Sequence, residues 1–160
     1  MTDAAKGRIY LAIIAALLLV IAAMGYKFII AGSTTAAADG RRAIIMEPGE
    51  RALILREMRE FLAGLQRIDE ALSREDMQAV AEASRALGSA RTHEVPAALM
   101  GKLPLEFKAL ALSVHSDFDT LAMDAEWTRL PKRSLGQLAE VMRKCTACHE
   151  GYRLAEATPR

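Results

Sequence analysis

Hydrophobic positions fall along this chain in two regimes. From Ile9 to Tyr26 runs a stretch of 18 residues without a charge, with Lys6 and Arg8 before it and Lys27 after it, and Phe28 to Ala31 extend it. As a helix, 18 residues rise about 27 Å, enough to cross most of the ~30 Å hydrocarbon core of a bilayer, while Lys27 can snorkel toward the headgroups. Residues 1–31 therefore read as a signal anchor. Ala36 and Ala38 make a passable A-x-A cleavage pattern before Asp39, but the apolar run exceeds the ~7–15 residues of a signal-peptide core, which favours retention. With Lys6 and Arg8 inside, the remainder faces the outside of a bacterial inner membrane, the periplasm.

Beyond residue 46 the pattern changes to helical periodicity. Residues 32–46 are small and polar and end in an apolar patch, so they read as a tether. Residues 47–157 then carry four amphipathic segments. The first, from Pro48 to Leu72, places Leu55, Met58, Leu62, Leu65, Ile68 and Leu72 at steps of three and four. Ser73 and Asp76 suggest a capping box for the second, which turns Met77, Val80, Ala83 and Leu87 inward and stops near Gly88. Pro104 opens the third, with Phe107, Leu110, Val114, Phe118, Leu121 and Ala125 on one stripe. Ser134 and Gln137 suggest a capping box for the fourth, which aligns Leu135, Leu138, Met142, Cys145, His149 and Tyr152. The expected class is all-α: an antiparallel up-down-up-down four-helix bundle preceded by one transmembrane helix.

Composition narrows the function. Three of the 21 Lys/Arg and two of the 20 Asp/Glu precede residue 41, leaving 18 of each in the remainder. That balance offers no basic field for nucleic acid. No nucleophile elbow, phosphate-binding glycine loop or H-E-x-x-H motif is present, and no carboxylate pair stands out, so the chain does not read as an enzyme.

The chemistry lies near the end, in Cys145-Thr146-Ala147-Cys148-His149. Two cysteines three apart followed by histidine form the attachment signature of c-type haem: each thiol adds across a vinyl group and the imidazole ligates iron. On a helix, positions i, i+3 and i+4 share one side, so all three can meet one porphyrin. A disulfide, a redox pair or half of a zinc site are the other readings of C-x-x-C. The redox reading wants a preceding strand in a βαβ setting, and zinc wants further ligands, whereas the chain has two cysteines and three histidines in all.

Residues 145–153, C-T-A-C-H-E-G-Y-R, resemble the C-x-x-C-H-x-x-Y/F-R ending of the class II c-type cytochromes, cytochrome c′ and its low-spin relatives. Leu103 to Lys108 is similar to the opening of that family's third helix, and Arg56-Glu57-Met58 falls where its first helix approaches the iron. The resemblance covers residues 48–156. It implies a four-helix bundle, one covalently attached haem c, His149 as proximal ligand, and electron transfer or binding of small gases; its Y/F-R ending suggests that Arg153 reaches a haem propionate.

The sixth coordination position is open on sequence alone. In an up-down-up-down bundle the end of helix four lies beside the start of helix one, which brings Met58 to the level of His149. Met77 and Met123 belong near the far end, and Met142 shares the proximal helix, so these read as core filler. His93 and Met100 sit in a loop at the right end, and His115 reads as a partly exposed surface histidine. Met58 ligation suits an anchored electron carrier, acting with periplasmic or membrane redox proteins or as a subunit of a larger membrane complex. An open position would instead suit a gas-binding sensor or scavenger, and a third reading is a haem that only staples the bundle. Arg129, Lys132, Arg133, Arg143 and Lys144 could present a docking face to an acidic partner.

Overall fold

The computed structural model describes residues 3–157 and, within them, all side chains except those of residues 3–5, 93 and 94. Helix α1 (Asp3–Gly25) passes into wider π-helical turns over Tyr26–Ala31. Residues 6–31 are long and apolar enough to cross a membrane or to act as a signal sequence, with a mean hydropathy of 2.5 in the most apolar window, none of which is buried. The rest of the described chain is mostly helical.

Residues 32–46 are not a tether. Strand β1 (Thr34–Ala36) pairs antiparallel with β2 (Arg42–Met46), and β2 pairs parallel with β3 (Tyr152–Glu156) at the other end of the chain. Ala43, Ile44 and Met46 of β2 are buried. Sequence reading misses these strands because they are three to five residues long and because their parallel partner lies more than a hundred residues away, beyond any local signal. The expectation of an all-α chain therefore holds for the bulk and fails for this sheet.

Four longer helices carry the domain. Helix α2 (Pro48–Ser73) opens with Pro48 in its first turn and a reciprocal cap between Glu47 and Glu50. Helix α3 (Met77–Arg85) is capped by Asp76, whose carboxylate accepts from the Ala79 amide at 3.0 Å. The proposed Ser73 capping box is absent: Ser73 ends α2 and its hydroxyl donates to the Glu70 carbonyl, because Arg74 and Glu75 are needed to turn the chain. A 3₁₀ turn (Ser89–Glu94) and the single turn α4 (Ala97–Met100) lead to α5 (Leu105–Thr128). Arg129, at φ 50°, reverses the chain into α6 (Pro131–Gly151). Helix α6 starts at Pro131, not at Ser134, since proline's fixed φ suits a first turn; Ser134 is fully buried in the next turn.

Two cores result. The first joins Ile68, Leu72, Val80, Leu87, Phe118, Leu121, Leu138 and Val141 from α2, α3, α5 and α6 and the turn after α3. The second joins Ile44, Met46, Ile54, Leu99, Leu103 and Phe107, where the sheet closes over the beginnings of α2 and α5. Helices α3 and α5, α5 and α6, and α2 and α3 pack closely, whereas α2 and α6 scarcely touch.

Candidate functional site

The sparse α2–α6 boundary is where the cysteine motif lies. On α6 the inward line is Ser134, Leu138, Val141, Cys145 and Cys148, at steps of four, three, four and three. Cys145 is half-buried against the first core, and Cys148, one turn on, is half-buried against the second. His149 is solvent-exposed, and Leu135 and Met142 are 53% and 52% exposed. The expectation that Leu135, Met142 and His149 point inward is thus corrected. They form a flank of α6, with Ala139 and Thr146, about a quarter turn from the buried line.

That flank is open to solvent. On its opposite flank α6 is tied to α5, by Lys144 to Asp117 at 2.5 Å and by Arg133 and Gln137 to Asp124 at 2.7 and 2.6 Å. Helix α2 is turned the same way: Arg67, Ala71 and Arg74 share a cavity wall with Ala79, Ala83 and Ala86, fixing α3 on one side. Leu55, Met58, Leu62 and Leu65 lie on the other. Leu62, expected inside, is 69% exposed. Met58 is half-buried and packs on the second core, as Cys148 does. The thioether of Met58 and the thiol of Cys148 thus edge one core, and His149 lies on the adjoining exposed flank of α6.

The thiols are uncombined. Burial pushes both above the ordinary cysteine range, and for Cys148 the neighbouring Cys145 adds to the effect. A redox-exchange pair needs the opposite, a thiolate favoured near neutral pH. Among the described residues no group of three or more His, Cys, Asp or Glu is placed to hold a metal ion; two thiols and one imidazole do suit a porphyrin held by thioether bonds and one axial nitrogen. The imidazole of His149 is engaged by no other side chain among the described residues; only its backbone carbonyl is, accepting from Arg41 Nη1 at 3.3 Å.

The remaining candidates are scattered. Arg153 is exposed and pairs with Asp39 at 3.3 Å, and Asp39 in turn holds Arg41 at 2.7 Å. Hydrogen bonds from Arg41 and the charges of Arg41 and Arg153 hold the Asp39 carboxyl below its usual range despite some desolvation. Tyr152 meets Phe107 edge-on, with ring centroids 5.3 Å apart. Met100 is half-buried against the second core, Met77 is buried in the first, and Met123 is 53% exposed. The His93 side chain lies outside the described residues. Arg129, Lys132 and Arg133 cluster at the beginning of α6, roughly 25 Å from His149 along the helix, while Arg143 pairs with Glu140. They do not form one face with the cysteine motif.

His115 corrects a second expectation. It is 5% exposed, with Nδ1 2.7 Å from the Leu87 carbonyl, Nε2 3.6 Å from Glu57, and its ring 5.2 Å from that of Phe61. Its spacing placed it beside the apolar stripe; a carbonyl freed at the end of α3 and a carboxylate from α2 make burial there tolerable. Asp39 and Arg41 carried no local signal, since their roles depend on the hairpin.

No protein-family profile, curated protein or solved structure matches this chain.

Proposed function

We propose that this chain is a membrane-anchored mono-haem c-type cytochrome of the class II kind, its helical domain an antiparallel four-helix arrangement, moving electrons on the periplasmic side with or within a membrane redox complex. The observation that carries the reading is the pair of uncombined, half-buried thiols one helical turn apart, with His149 on the adjoining flank, facing a boundary where α2 and α6 stay apart. When bound, the haem supplies a one-electron couple. Cys145 and Cys148 would hold it covalently and fix its position along α6. His149 would supply an imidazole nitrogen to the iron. Met58, on the same core as Cys148, would supply a thioether, a donor pair that raises the reduction potential and suits electron transfer. Leu55, Leu62, Leu65 and Met142 would exclude water from its faces.

The hairpin supports retention of the N-terminal segment. Cleavage after Ala38 would remove β1 and with it the bond that the Ile45 amide donates to the Ser33 carbonyl at 2.8 Å. The test is the visible spectrum of the purified holoprotein, ferric and ferrous, before and after CO. Low-spin spectra in both states, a far-red methionine band in the ferric form and no immediate CO shift are expected. A high-spin iron that takes CO at once would replace Met58 ligation with the gas-binding reading. No haemochrome at all would remove the cytochrome.

A further inference from the structure

The way the apolar helix joins the domain identifies the kind of partner. Gly32, where the helix ends, has φ +65°, and a Cβ there would lie 2.5 Å from the Lys102 carbonyl oxygen and 2.6 Å from the Pro104 nitrogen. No side chain fits between the helix end and the α4–α5 loop. The Ser33 amide donates to the Lys102 carbonyl at 2.7 Å, and Lys27 Nζ donates to the Gly32 carbonyl at 2.8 Å. Lys108 reaches back from the first turn of α5 to the Ile29 and Phe28 carbonyls, at 3.0 and 3.3 Å. Phe28 lies against Gly101, 3.3 Å from where its Cβ would be. Three elements, the α4–α5 loop, α5 and the sheet, thus clasp one end of the anchor.

The same sheet holds the cysteine motif. From Gly32 the chain enters β1; Ala36 pairs with Arg42, and Arg42 pairs with Tyr152, the first residue after α6. Four residues of strand and two interstrand steps span at most about 23 Å. Trp127, by contrast, lies 22 residues up α5 from Leu105, roughly 33 Å. Whatever the tilt of the anchor, the motif belongs to the end of the domain from which the anchor leaves.

We propose that the anchor and the domain form one rigid unit that holds the haem-binding end at the membrane surface, so that its electron partner is embedded in that membrane and is not a carrier free in the aqueous phase. This rests on the cytochrome reading. Lys102 and Lys108 then lie at headgroup level, and Trp127 faces away from the bilayer. A loosely tethered domain would swing between partners; this one waits for a partner that diffuses in the plane.

The experiment uses full-length holoprotein in phospholipid nanodiscs, with spin labels at Leu105→Cys or Trp127→Cys and gadolinium-chelating lipid in the bilayer. Haemochrome content is read first, and labelling of Cys145 and Cys148 at that stage means that the cytochrome reading has failed, whatever the labels then report. With the iron reduced, relaxation of the Leu105 label should exceed that of the Trp127 label several-fold. A flexible Gly/Ser insertion between Ala31 and Gly32 should abolish that difference. It should also slow haem reduction by a quinol dissolved in the bilayer several-fold while leaving reduction by ascorbate unchanged. Equal relaxation at both labels, or quinol reduction indifferent to the insertion, overturns the proposal.

Discussion

The two cores of this domain are built differently. The first, around Phe118, Leu121, Val80 and Ile68, closes on itself: each of these four is fully buried, and the helices lining it come from consecutive stretches of chain. The second, around Ile44, Met46, Leu99 and Phe107, draws on both ends of the sequence and is edged by half-buried Met58, Met100, Cys148 and Tyr152. One core is complete as protein. The other is bordered by soft, polarizable side chains, those of Met58, Met100 and Cys148.

The sharpest way to break that contrast is to remove the thiols. Replacing Cys145 and Cys148 together by alanine should abolish covalently bound haem completely, read by haem stain after denaturing electrophoresis. Far-ultraviolet circular dichroism should meanwhile retain the helical signal held by the first core. Loss of helix as large as loss of haem would mean that the two cores are one cooperative structure.

Truncating the cores comes next in size. Phe118→Ala in the first core should cost about 3–5 kcal/mol in chemical denaturation, with or without haem. Leu62→Ala should cost less than about 0.5 kcal/mol in haem-free protein, because Leu62 is 69% exposed. Under the proposed haem placement its cost should rise in the holoprotein. Equal small costs in both forms would move the haem away from the α2–α6 boundary. Gly64→Ala tests the tightness of the first core: its Cβ would run into the Leu87 side chain, which is 2% exposed and has little room to move. Overpacking of this kind costs about 1–3 kcal/mol.

The same contrast explains what could be read from the sequence. The helices of the first core were legible because their apolar positions recur at three and four and their neighbours are close in sequence. Pro48, Pro104 and the stripe from Phe107 to Ala125 fell where periodicity put them. Leu62, Leu135, Met142 and His149 were read as inward because they are apolar or aligned with apolar positions. The structure leaves them on the flanks of α2 and α6. Periodicity reports apolar and apolar-aligned positions whether or not a neighbouring helix covers them, so the sequence stripe is wider than the buried core. The sheet was illegible for another reason: β2 and β3 are separated in sequence by the whole helical domain, and Asp39, Arg41 and Arg153 are brought together by that pairing. The cysteine motif was visible as a spacing, which needs no tertiary context, and the structure sets its two thiols on the buried line of α6 with His149 on the exposed flank.

The smallest effect expected lies between the cores, at His115. Burial alone disfavours its charged form, but the Glu57 carboxylate and the Leu87 carbonyl outweigh that cost and raise its pKa above the ordinary histidine value. The charged ring satisfies both neighbours. The neutral Nδ1–H tautomer keeps the bond to the Leu87 carbonyl at 2.7 Å but loses the ion pair with Glu57 across 3.6 Å. Because the folded pKa is raised, the stabilisation is fully present below the unfolded value of about 6.5 and is lost as pH rises through the folded value. Denaturation midpoints of the haem-free protein should therefore fall across that window. The difference between wild type and His115→Gln isolates the buried ring. The substituted protein should be less stable at the acid end, and the gap should narrow toward alkaline pH. A gap that widens with pH would mean that the ring is held neutral and that Glu57 does not pair with it.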